Sequence, residues 1–126
     1  MGKFIIYQML PRLWGNIGGK NIKNGTLKDN GCGKFSSIDI ISLEYLRSLG
    51  VSHVWYTGII RHATAEDSDG CTPSSADWVK GRAGSPYSIT DYYDVNPYLA
   101  DEPENRMEEF HKLVERTHAA GLKVII

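Results

Sequence analysis

The sequence predicts an α/β fold, the first three strands and two helices of a (β/α)8 TIM barrel, incomplete in this chain. Short runs rich in β-branched and aromatic residues alternate with helical periodicity, in the order strand, helix, strand, long loop, helix, strand. Such alternation implies parallel strands joined by right-handed crossovers. Three parallel strands alone would leave two bare edges and uncovered faces. The chain closes on the apolar run LKVII, with no polar tail. A full barrel takes about 250 residues, so residues 1–126 are expected to be the N-terminal part of one barrel domain, truncated after its third strand.

Each element has its own local signal. Residues 3–9, KFIIYQM, form an apolar run suited to a buried strand. Residues 14–36 are rich in Gly, Asn and Lys and read as loop. Ile38, Ile41, Tyr45, Leu46 and Leu49 share one helical face. Ser36 with Asp39 resembles a capping box, and Gly50 suits the position just past the helix end. VSHVWYT, residues 51–57, reads as the second strand. From Gly58 to about Ala100 the chain reads as one long irregular region, of a length that is uncommon in compact domains and often functional. Asp101 and Glu104 are expected to cap a second helix, with Pro103 in its first turn. Met107, Phe110, Val114 and Thr117 give that helix a buried stripe with Leu113 alongside, Gly121 ends it, and residues 122–126 form the third strand.

Composition narrows the function. The hydrophobic fraction is 41%, the charged fraction 23% and the net charge -1, which points to no nucleic-acid partner and no anionic membrane surface. No apolar run reaches the length of a membrane span. MGKFIIYQMLPR reads as a first strand and not as a signal peptide, because Gln8 and Pro11-Arg12 interrupt it and no small-residue cleavage site follows. A cytoplasmic location is expected, and an exported parent with its leader removed stays open. Cys32 and Cys71 lack metal spacing and read as two free thiols, with one disulfide between neighbouring loops as the alternative.

Several constellations could carry chemistry. Glu66, Asp67 and Asp69 cluster in the long loop, and paired carboxylates are what glycoside hydrolysis needs, but such a loop cluster reads as solvated surface. Asp91 and Asp94 read as turn formers, since Asp accepts hydrogen bonds from nearby amides. His111 and His118 are seven apart on the second helix and read as structural. His53 reads as packing within a strand. His62 lies just beyond the second strand and near a possible site. The glycine-rich stretches match no dinucleotide or phosphate-loop pattern and no EF-hand, so no cofactor and no metal are expected. The aromatic stretch GSPYSITDYYDVNPYL, residues 84–99, is the remaining candidate. A tyrosine ring can lie against the C–H face of a pyranose while its phenol hydrogen-bonds, and barrel enzymes place their sites on loops after strand C-termini. Packing of the loop is the competing explanation for these rings.

Four segments, in order, resemble the N-terminal part of the catalytic domain of the alpha-amylase superfamily, glycoside hydrolase family 13. IIYQMLPRLWG resembles its first barrel strand, and GKFSSIDIISLEYLRSLGVSHVWYTGII its first helix and second strand. SPYSITDYYDVNPYL resembles its Gly-Tyr-x-x-x-Asp-Tyr segment, and EEFHKLVERTHAAGLKVII its second helix and third strand. The resemblance covers almost the whole chain. It implies an eight-stranded barrel that acts on alpha-linked glucans by retaining double displacement. The catalytic carboxylates of the family lie at later strand ends and have no counterpart here, so the fragment is expected to be inactive alone. Tyr87 matches the tyrosine that stacks on the sugar where the bond is cleaved. Asp91 matches the aspartate of that segment and is expected to hold the loop in shape, and Tyr92 matches the following tyrosine and is expected to pack.

The chain departs from the family pattern at four places. Pro86 stands where the family usually has Gly, and Gly58 where its second strand often ends in Pro. Gly84 occupies the position at which exo-acting alpha-glucosidases tend to carry Asp, which favours endo action or tolerance of oligosaccharides. Lys34 takes the last acidic position of the first-loop calcium pattern, so the resemblance implies no metal there. The expected partner is an alpha-glucan or malto-oligosaccharide, with hydrolysis or transfer to a second sugar as the reaction. The alternative is a non-catalytic homologue used for sugar binding or partner contact. A complete small α/β protein, such as a flavodoxin-like domain, is a third reading. Exposed strand edges are expected to make the fragment self-associate.

Overall fold

The computed structural model describes residues 2–126. Strands β1 (Ile6–Met9), β2 (His53–Tyr56) and β5 (Lys123–Ile125) form a parallel sheet in the order β1-β2-β5. Tyr7 is in register with Val54, which pairs on its other side with Val124. Side chains alternate across a sheet, so Met9, Val54 and Tyr56 share one face, and all three are buried. Ile6, Gln8, His53, Trp55 and Lys123 fall on the other, where Ile6, Gln8 and Lys123 are exposed. One face is therefore covered and the other is open.

Helices α2 (Ile40–Ser48) and α3 (Arg106–Ala119) belong to the covered face. Asp39 caps α2 by accepting from Ser42 N at 2.7 Å. The Ser36 capping box is not formed. The buried side of α2 carries Leu43 and Leu46, with Ile38 just ahead of the helix, whereas Ile41 is 72% exposed and Tyr45 and Leu49 are exposed too. The predicted apolar face is thus rotated. On α3, Phe110, Leu113 and Thr117 are buried and Val114 packs against the core, as the stripe predicts, while Met107 is more exposed. Asp101 and Glu104 do not cap α3. Glu109 reaches back instead and accepts from Asp101 N and Glu102 N, both at 2.8 Å. Tyr56 Oη lies 2.6 Å from Thr117 Oγ1, which joins the central strand to α3 through a buried contact. Arg116 donates to Ile38 O and Phe35 O at 2.7 Å and ties the end of α3 to the turn before α2.

The region expected to be irregular contains an antiparallel hairpin. Strand β3 (Ile60–His62) pairs with β4 (Ile89–Val95), with register shifts on both sides of Arg61. Tyrosine and β-branched residues favour the strand, but the aspartates and flanking prolines obscured it. A four-residue helix, α1 (Leu27–Asn30), lies inside the first loop with a capping box from Thr26. Among the described residues no helix is long and apolar enough to cross a membrane. Cys32 and Cys71 are both free thiols.

Candidate functional site

The C-terminal end of β2 opens into a concavity of about 300 Å³ whose wall includes Trp55, Thr57, Gly58, Pro86, Tyr87 and Tyr92. Tyr87 is 70% exposed and Tyr92 75% exposed. Neither ring is consumed by packing, so both are available to a ligand. A turn on Ser85 presents Tyr87: Ser85 Oγ accepts from Tyr87 N at 3.3 Å and Ser85 O from Ser88 N at 3.0 Å. Gly84 makes the preceding bend at φ 67°, and a Cβ there would collide with the Ala63 carbonyl oxygen. That close approach excludes any side chain at the position where the resemblance compares Gly with Asp.

Asp91 stands apart from Tyr87. It lies on β4 opposite Arg61, accepts from Tyr93 N at 2.8 Å, and lines a different recess with His62, Thr64 and Asn96. Asp94 has the larger structural task. It accepts from Arg61 Nη1 at 2.8 Å and from Arg106 at 2.7 and 3.1 Å, clamping the hairpin to the start of α3. Burial raises its carboxyl pKa, but the hydrogen bonds from Arg106 and Arg61 outweigh that and hold it below the usual range.

A polar cluster that sequence reasoning did not assemble lies beside the concavity. Glu66 is only 1% exposed and accepts from Arg12 Nη2 at 2.9 Å. This corrects the reading of the Glu66–Asp69 group as solvated surface: Asp67 and Asp69 are exposed, but Glu66 is buried against a cation. The guanidinium of Arg12 sits 5.2 Å from the Tyr98 ring centroid. Tyr98 Oη lies 3.1 Å from His62 Nε2. Asn96 Nδ2 lies 3.0 Å from His62 Nδ1, and Asn96 Oδ1 accepts from His62 N at 3.2 Å.

Both ring nitrogens of His62 have polar neighbours: Nδ1 lies 3.3 Å from Ile60 O as well as beside the Asn96 amide, and Nε2 lies 3.0 Å from Ala83 O as well as beside Tyr98 Oη. Burial lowers the His62 pKa, and nearby Arg12 adds to that against the raising effect of the Ala83 and Ile60 carbonyls. Burial also raises the pKa of Tyr98 well above the ordinary phenol value. These groups border a narrow recess of about 120 Å³ shared by Arg12, His62, Pro86 and Tyr98. His62 was the histidine singled out by its place after the second strand. Its partners Asn96 and Tyr98 gave no sequence signal, being 34 and 36 residues away.

The remaining singled-out residues are structural. His53 Nδ1 contacts Ser52 Oγ at 2.8 Å, and its ring meets Phe4 edge-on. His111 and His118 are exposed on α3. Lys34 donates through Nζ to Tyr98 O and Ala100 O, both at 2.8 Å, and so ties the first loop to the turn after β4.

Three comparisons bear on this site. Residues 14–126 match a family model described as alpha amylase, catalytic domain. The chain is 27% identical over 124 residues to a trehalose-6-phosphate hydrolase of Bacillus subtilis (strain 168), covering 98% of this chain and 16% of that protein. It also superposes on a maltogenic alpha-amylase from Thermotoga neapolitana with a TM-score of 0.57 and 27% identity, covering 96% of this chain and 21% of that structure. The chain thus spans about a fifth or less of the length of these two proteins.

Proposed function

The chain belongs to the alpha-amylase family of catalytic domains, and from that premise we propose that it forms one wall of the substrate cleft of a retaining glycoside hydrolase acting on alpha-glucosidic bonds. The substrates are starch-like glucans or malto-oligosaccharides. The carrying observation is the pair of exposed rings, Tyr87 and Tyr92, on a concavity at the C-terminal end of a parallel strand, where barrel enzymes build their sites. Tyr87 is the sugar platform. Asp91 supports it indirectly, since its bond to Tyr93 N steadies the strand that carries Tyr92.

Within this reading the three parallel strands are the first part of a (β/α)8 barrel, and residues 1–126 are the N-terminal part of that single domain. The coverage of about a fifth of the solved relative supports it. The chemistry needs two carboxylates flanking the scissile bond. Among the described residues Glu66 is the one buried carboxylate and it is engaged by Arg12, which supports reading this chain as inactive by itself. The open face and edges of the sheet would make copies of the chain associate. The location in this reading is the cytoplasm.

Calorimetric titration of the chain with maltotriose tests the platform. Tyr87→Ala is expected to weaken binding by about 1–3 kcal/mol, the size of one aromatic contact removed from water. Equal affinity of the variant and the parent chain would take Tyr87 out of the site, and release of reducing sugar from starch by the chain alone would refute its inactivity.

A further inference from the structure

We propose that the recess between the first loop and residues 80–83 binds a phosphate group. The recess has a volume of about 330 Å³, and its wall includes Arg12, Lys80, Arg82 and the amides of Asn16, Asn21 and Asn24, with no carboxylate. Arg82 Nε donates to Asn24 O at 2.9 Å, which joins the two loops and leaves the terminal guanidinium nitrogens without partners among the described residues. Lys80 is exposed and belongs to none of the ion pairs among the described residues. Of the acids near this wall, Glu66 is paired with Arg12, while Asp29 is held by Thr26 N and Oγ1 at 3.0 and 2.8 Å and its carboxylate also feels the charge of Arg82. Lys80 and Arg82 supply the positive charge that belongs to no ion pair among the described residues.

The donor set selects the ligand. A guanidinium fork and an ammonium match the charge and the several oxygens of a phosphate, and carboxamide N–H groups can serve the oxygens that remain. Asn21 and Asn24 are both held at φ 56°, a left-handed conformation that Asn adopts more readily than most other residues with a side chain. A volume of about 330 Å³ is larger than a phosphate alone requires. The narrow recess shares Arg12 and Ala83 with this wall, and shares Thr57, Gly58 and Pro86 with the aromatic concavity. The basic wall and the tyrosines are thus contiguous, so a phosphate ester on a sugar seated at Tyr87 fits the layout. Inorganic phosphate is the other source of the same chemistry. Only the ester form rests on the glycosidase reading.

Calorimetric titration of the full chain with inorganic phosphate, glucose 6-phosphate, glucose and maltotriose separates these possibilities. Both phosphates are expected to bind, glucose 6-phosphate the more tightly, and added salt to weaken both. The double variant Lys80→Gln with Arg82→Gln should weaken both by at least about tenfold. Lys80→Gln alone, which leaves the Arg82 bridge intact, should weaken them to a smaller degree, so a folding defect cannot mimic the result. Tyr87→Ala should weaken glucose 6-phosphate and leave inorganic phosphate unchanged. Absence of phosphate binding, or phosphate affinity unchanged in the double variant, overturns the proposal. Phosphate binding that depends on Lys80 and Arg82 while maltotriose fails to bind would sink the glycosidase reading and uphold this site with inorganic phosphate as its ligand.

Discussion

Arg12 joins groups that are far apart in the chain, and its partner Glu66 sets the stability of the whole cluster. With Glu66 almost wholly buried at 2.9 Å from Arg12 Nη2, removing the carboxylate leaves a partly buried cation uncompensated. Glu66→Gln is expected to cost about 2–4 kcal/mol, below the top of the range for buried pairs because Arg12 retains some exposure. Urea unfolding at constant m would show it, and Arg12→Met combined with Glu66→Leu should recover most of the loss. If the single variant were as stable as the parent chain, the pair would contribute nothing. His62 makes a second prediction. Its pKa is lowered by burial, so the unfolded chain binds more protons than the folded one below the ordinary imidazole value of 6.5. The contribution of His62 is present above that value and fades as pH falls through the lower folded pKa. The urea midpoint should drop over that acidic interval, and His62→Gln should flatten the drop.

At the level of elements, helix α2 and the β3–β4 hairpin show where local pattern fails. The helical face Ile38–Ile41–Tyr45–Leu46–Leu49 reads well as a stripe, yet of its members only Ile38 and Leu46 are buried, and packing adds Leu43 while leaving Ile41, Tyr45 and Leu49 exposed. The element and its C-terminal end at Gly50 were legible, whereas its N-terminal cap falls on Asp39 and not on Ser36. The rotation of the helix was not legible, because with apolar residues all round the helix the neighbouring sheet decides which side it covers. Leu43→Ala is expected to cost about 2–5 kcal/mol, and Ile41→Ser to stay within about 0.5 kcal/mol. Thermal or urea melts giving the opposite ranking would contradict this rotation. In the hairpin, Asp94 replaces turn chemistry with a clamp on Arg61 and Arg106. Asp94→Asn is expected to cost about 1–3 kcal/mol and to speed amide exchange across β3 and β4. Because its folded pKa is lowered, the stabilisation from Asp94 persists above the ordinary carboxyl value of 3.8 and fades below it. Exchange that remained as slow as in the parent chain would show that the clamp does not hold the hairpin.

On the scale of the whole molecule, the sheet has one finished face. Phe4 and Ile6 are exposed at the β1 edge, and Ile41, Tyr45 and Leu49 are exposed on α2. Exposed strand edges and contiguous apolar surface favour association. Sedimentation velocity is expected to show the chain as oligomers that shift to smaller species when Ile41 and Tyr45 are replaced by Lys. A single monomeric boundary at all concentrations would count against it.

The three parallel strands, the two longer helices, the stripe on α3 and the family membership followed from residue pattern and local motif, because periodicity and turn chemistry act over a few neighbouring residues. The place of Tyr87 near the C-terminal end of the second strand was also legible, since an aromatic loop after a buried strand marks a position rather than a contact. Tertiary structure alone decided that Glu66 is buried, that His62 meets Asn96 and Tyr98, and that Lys80 and Arg82 face the asparagines of the first loop. Each of these joins residues more than 30 positions apart. Such partners are chosen by the parallel packing of β1 against β2 and the folding back of the hairpin, which bring distant loops to one end of the sheet, and no local pattern encodes which charges meet there.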